Sequence, residues 1–220
     1  MAVVTISREI YSEGSLIGEG VAEALGYHFV GKEGIEKVFL EHGLVEFKRV
    51  YDSVAGFWSR YDDMRTTTIE FLKQVIMALA SHGNMVIAGR GAFAVLSGFG
   101  DVLNVRVQAP FHVRVQRAME KEKIQEAHKA EAFLKASDKA RDTFVECFYN
   151  VRAEDTASSA FDLVINTGKV PPDMATAWVV EALKALQRKE GGADPTTKTI
   201  KVDRELAGTV SDVLGCYVIH

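Results

Sequence analysis

Short apolar runs alternate with helix-patterned stretches along most of this chain, and that alternation limits the folds open to it. Residues 3–7, 85–88, 102–109 and 161–166 read as strands, with 27–30 a short strand or an extended link. Between them lie stretches with a period near 3.6. One carries Leu16, Ile17, Val21, Ala24 and Leu25, and another, over 32–41, carries Ile35, Val38 and Phe39. A third, over 66–80, carries Ile69, Leu72, Val75, Ile76 and Leu79. Residues 111–148 are charged and mostly helical, with a break expected near 130–137. Pro172 opens a helix carrying Met174, Trp178, Leu183 and Leu186. Continuous apolar strands such as Met85-Val86-Ile87-Ala88 suit a sheet covered on both faces. The expectation is an α/β fold: a three-layer, doubly wound, mainly parallel sheet.

Ligands of such sheets sit at the carboxyl ends of the strands. The conspicuous polar residues fall there: Ser7-Arg8, Gly89-Arg90-Gly91 and Thr167-Gly168. The first strand runs through a polar turn into a helix, which can bring backbone N–H groups to an anion. Ser12, Gly14 and Ser15 could serve it; the plainer reading of the turn alone is an ordinary βα connection with a polar loop. Arg90 between two glycines can hold a phosphate bidentately; pairing with a core carboxylate is the alternative. Arg114, Arg117 and Arg141, with Asp138, could close over a triphosphate or form a solvated helix face. The aromatic and basic stretch 47–65 reads as a lid over an acceptor or as a packed helical hairpin.

At 220 residues the chain suits one main domain, 1–190, a linker at 191–195 and a tail at 196–220 that packs on the domain or on a second subunit. A homodimer is left open. A net charge of −4 gives no broad attraction to nucleic acid. No apolar run approaches the roughly 20 residues of a membrane span, and no signal peptide is apparent. Cys147 and Cys216 make no CxxC pair, which reads as a reduced, cytoplasmic protein. The six histidines have no metal-ligand spacing, so no protein-held metal site is expected.

Over roughly residues 2–187 these features resemble the cytidylate kinase-like group of P-loop kinases. Ile6-Ser7-Arg8-Glu9 with Ser12, Gly14, Ile17 and Gly18 is similar to the start of its members. Gly89-Arg90-Gly91-Ala92, Ala109-Pro110-Phe111 with Arg114 and Arg117, Asp138-Lys139-Ala140-Arg141, and Asp162-Leu163-Val164-Ile165-Asn166-Thr167 follow in the family's order. The resemblance implies a P-loop kinase-like fold with a helical lid at about 111–152. It implies ATP with Mg²⁺ as donor, and CMP or a related small molecule as acceptor. Arg8, Ser12, Gly14, Ser15, Thr167 and Gly168 would bind the donor; Gly89, Arg90 and Gly91 would bind the acceptor. Arg114, Arg117 and Arg141 would neutralise the transferring charge, and Asp138 would order the lid.

Two departures stand out. Tyr11 and Glu13 occupy positions where relatives have glycine. If those positions need positive φ, each costs about 1–2 kcal/mol. A carboxylate about 4 Å from the phosphates adds up to roughly 4 kcal/mol of repulsion at an effective dielectric near 20. The P-loop lysine is also missing, with Ser15-Leu16 after Gly14 instead. In place of the acidic pair that flanks the arginine in cytidylate kinases proper stand Ala88 and Gly91, which weakens the case for cytosine. The expected function is a nucleotide kinase; the alternatives are a nucleotide-binding or regulatory protein that has lost catalysis, and a structural module with an empty crevice.

Overall fold

The computed structural model describes residues 2–42, 62–149, 160–188 and 194–215, the side chains of 62–66 and 147 excepted. Most of the aromatic stretch 47–65, Cys216, the side chain of Cys147 and most of the 191–195 linker therefore lie outside the described residues.

Five strands form one parallel sheet: β1 (Val3–Arg8), β2 (His28–Val30), β3 (Met85–Ala88), β4 (Val102–Gln108) and β5 (Leu163–Asn166), in the order β2-β3-β1-β4-β5. The helices are α1 (Gly14–Leu25), α2 (Lys32–Glu41), α3 (Asp62–His82), α4 (Ala92–Val95), α5 (Phe111–Glu122), α6 (Ala127–Tyr149), α7 (Pro172–Arg188) and α8 (Arg204–Val213).

Successive strand side chains point to opposite faces, and each face has its own core. Val3, Met85 and Ile87 pack with Ile35, Phe39, Leu72, Ile76 and Leu79 of α2 and α3. Val4, Ile6, Val86, Ala88, Val105 and Val107 pack with Ile17 and Val21 of α1 and Val179 and Leu183 of α7. Two-sided burial is why these strands read as unbroken apolar runs. β1 lies at the centre, so the turn that follows it opens above the middle of the sheet.

Several elements depart from the sequence pattern. The third helix starts at Asp62 rather than near residue 66. The charged stretch breaks at 123–126, where Lys123 turns left-handed at φ 55° and caps α5. It does not break at 130–137, because Ala130 and Leu134 are fully buried in a third apolar cluster. Met174 and Trp178 are exposed, and α7 instead buries Ala175, Val179, Val180 and Leu183. That phase lets α7 approach α1 closely: a Cβ on Gly20 would lie 3.1 Å from the Thr176 Oγ1. The tail opens with a 3₁₀ turn at Thr197–Thr199. The Thr197 amide and hydroxyl both donate to Asp101, at 2.8 and 2.7 Å. Tail helix α8 is capped by the Asp203 carboxylate and sets Leu206 and Val210 into the core under α2 and α3.

Candidate active site

The turn after β1 spans residues 9–13 and delivers the chain to α1 at Gly14. Tyr11 and Glu13 both adopt left-handed backbone, φ 58° and 64°. The loop thus takes the positive-φ shape that glycine would accept freely, with side chains in its place. Gly14 is required: a Cβ there would run into the Arg8 side chain. The first helical bond runs from the Ile17 amide to the Glu13 carbonyl, so the amides of Gly14, Ser15 and Leu16 precede the helical ladder. A cavity of about 400 Å³ lies over them, walled also by Lys121, Glu122 and Arg141. Its lining sets four carboxylates (Glu9, Glu13, Glu19, Glu122) against three cations (Arg8, Lys121, Arg141).

Ser12 is not on that wall. It is fully buried, and its hydroxyl lies 2.8 Å from the Glu9 carbonyl and 3.1 Å from that of Val107. Thr167 is likewise buried behind the loop, donating to the Ser12 carbonyl at 2.9 Å. Arg117 completes this brace, donating to the Tyr11 carbonyl (3.2 Å), the Thr167 hydroxyl (3.0 Å) and the Thr167 carbonyl (2.8 Å). Small polar side chains next to a phosphate-type loop can face either way; here the interior carbonyls of β4 and the loop claim them. Gly168 is half-buried, its amide bonded to the Asn166 side chain at 2.9 Å.

A second cavity of about 290 Å³ opens at the carboxyl ends of β1, β3 and β4. Five cations line it (Arg8, Lys32, Arg90, Arg106, Arg141) against three carboxylates (Glu9, Asp138, Asp142), with Phe93 and Phe144 as apolar wall. Arg90 takes φ 53°, and its nearly buried guanidinium donates to Glu36 at 2.6 Å. The pairing with a core carboxylate is therefore present, and Arg90 still borders the cavity. Gly89 and Gly91 leave the room that this demands: a Cβ on Gly89 would strike the Arg8 guanidinium, and one on Gly91 the Tyr149 ring. The Tyr149 hydroxyl donates to the Arg90 carbonyl at 2.7 Å, and burial pushes its pKa up. The two cavities share Arg8, Glu9 and Arg141.

The helical hairpin α5–α6 closes one side. Arg141 borders both cavities, and its Nη1 donates to the Arg8 carbonyl at 2.7 Å. Arg114 and Arg117, expected on the transferring group, border neither. Arg114 is buried, with Nε 3.3 Å from Glu9 and Nη1 3.0 Å from each Asp138 oxygen. The α5 phase that packs Val115 and Ala118 inward turns Arg114 under the loop rather than over it. Asp138 borders the second cavity while it anchors Arg114. The sequence reading missed Lys32, Arg106 and Asp142. Arg106 was visible as a polar position on a strand entering the crevice. It donates to the Ser7 hydroxyl at 3.2 Å and lies 3.9 Å from Glu9. The Asp142 carboxyl is held above its ordinary range, chiefly by burial; Arg106 opposes the shift, Asp138 adds to it and Arg141 opposes it.

A parallel sheet with a phosphate-type loop after its central strand and a cationic cavity at its carboxyl ends is the P-loop kinase fold. The cytidylate kinase-like family model matches residues 3–169, and the chain belongs to that family. No curated protein matches the chain in sequence. Among solved structures, an uncharacterised protein from Eubacterium ventriosum ATCC 27560 is similar, with TM-score 0.61 and 22% identity over 84% of this chain and 99% of that one. Shikimate kinase from Bacteroides thetaiotaomicron has TM-score 0.50 and 10% identity over 86% and 99%. A gluconokinase from Sinorhizobium meliloti 1021 has TM-score 0.50 and 14% identity over 86% and 98%. At these identities the likeness is one of fold.

Proposed function

We propose that this protein transfers the γ-phosphoryl group of ATP to CMP or a related small anionic acceptor. The observation that carries the reading is the meeting of the two cavities at Arg8, Glu9 and Arg141. A donor on the loop and an acceptor at the strand ends would face each other across those two cations. The Gly14 and Ser15 amides would hold the donor phosphates, and the turn at Gly168 would border its base. Arg90, Arg106 and Lys32 would hold the acceptor's charge. Positioning and charge stabilisation supply most of the catalysis in such a reaction. Mg²⁺ would arrive with the nucleotide and neutralise part of its phosphate charge. Ser15, an exposed hydroxyl at the start of α1, is the loop side chain that would meet the ion. The setting is the cytoplasm, where ATP is available.

Nucleotide binding without transfer is the second reading, favoured by the Glu13 carboxylate on the loop cavity and by the engagement of Arg114 and Arg117 elsewhere. The test pairs thermal melting in millimolar MgATP with labelled-ATP transfer to a panel of nucleoside monophosphates and small hydroxy acids. A ligand of the native state raises the melting temperature by mass action. A rise with transfer supports the kinase; a rise without transfer supports binding alone. No rise overturns both.

A further inference from the structure

The side chains at the two left-handed loop positions reach onto the same helix. The Tyr11 hydroxyl donates to Glu122 on α5 at 2.8 Å, and its ring lies 6.3 Å from that of Phe133 on α6. Ile10 and Tyr11 pack against the hairpin's own core of Val115, Ala118, Ala130 and Leu134. Glu13 lies 3.9 Å from Arg117, whose guanidinium also holds the Tyr11 carbonyl. Glycine at either position could make none of these side-chain contacts. Tyr11 and Glu122 are, moreover, both on the wall of the loop cavity.

We infer that Tyr11, bonded to Glu122 and packed on the hairpin core, is a latch that holds α5–α6 against the loop. The residue that disturbs the loop as a glycine replacement is thereby accounted for as a tether. The latch does not depend on which nucleotide binds or on whether transfer occurs. Burial, with Glu122 beside it, pushes the Tyr11 hydroxyl up to about 12, so it stays a proton donor throughout the physiological range.

Amide hydrogen exchange on the full chain without nucleotide tests this. Tyr11→Gly should speed exchange across 111–122 roughly tenfold, the effect of losing one hydrogen bond to a charged partner. Glu122→Ala, which leaves the loop sequence intact, should speed the same amides. Glu122→Gln keeps an acceptor oxygen and should restore protection. Exchange in β1 and β3 should stay as in the parent, showing that the fold is unchanged. The inference is overturned if 111–122 exchanges at the parent rate in Tyr11→Gly, or if all strands speed up together with it. Failure of MgATP to bind would overturn the functional reading and leave these outcomes as they are.

Discussion

Two residues with positive φ decide how the loop can work. Glu13 holds a conformation that costs a non-glycine residue about 1–2 kcal/mol, and its carboxylate borders the cavity where phosphates would sit. Arg117, 3.9 Å away, offsets part of the repulsion. Glu13→Gly should therefore tighten MgATP binding roughly tenfold; calorimetric titration returning the parent affinity would show that the carboxylate does not act on the phosphates. Asp142 gives a second prediction. Its carboxyl is raised above its ordinary value of 3.8, so the folded state favours the protonated form and is penalised once the group ionises. Asp142→Asn should raise the melting temperature at pH 7, and the gain should vanish as pH falls below 3.8. A gain independent of pH would assign the effect to packing. The positive φ of Tyr11 and Glu13 was an expectation only through the resemblance to relatives with glycine there, whereas the inward turn of Ser12 and Thr167 was not foreseen: Ser12 reaches the Val107 carbonyl as well as that of nearby Glu9, and Thr167 reaches that of Ser12, contacts set by the fold.

At the scale of elements, Arg114 ties three of them together: the β1 loop through Glu9, the end of β4 through the Ala109 carbonyl, and α6 through Asp138. Removing Arg114 takes from Glu9 and Asp138 their closest counter-charge, although Arg106 stays 3.9 Å from Glu9. Arg114→Met should cost about 2–3 kcal/mol, less than a fully buried pair, because Glu9 and Asp138 keep 22% and 29% of their side-chain exposure. Urea unfolding would measure it, and a cost under half a kilocalorie would return Arg114 to the solvated face that its spacing also allowed. The sequence showed three arginines on two charged helices. Helix phase and the apolar packing of Val115, Ala118 and Leu134 decided that only Arg141 borders the crevice.

The molecule as a whole is one sheet with a separate core on each face, and the tail completes one of them. Leu206 and Val210 are almost wholly buried against α2 and α3, and α2 carries the Glu36 that holds Arg90. Leu206→Ala should destabilise the protein by about 2–5 kcal/mol. Because α8 packs within its own chain, the subunit count by light scattering should not change; a change in mass would point to a contact between chains.

By itself the sequence determined the class of fold and pointed to the carboxyl ends of the strands as the place for a site. Those follow from period and order along the chain, which are local properties. Tertiary structure alone decided which arginines face the crevice, that Arg90 is tied to Glu36, and that Tyr11 reaches the hairpin. Each of these depends on the phase of one helix against another, and on pairings between residues some 50 to 110 positions apart.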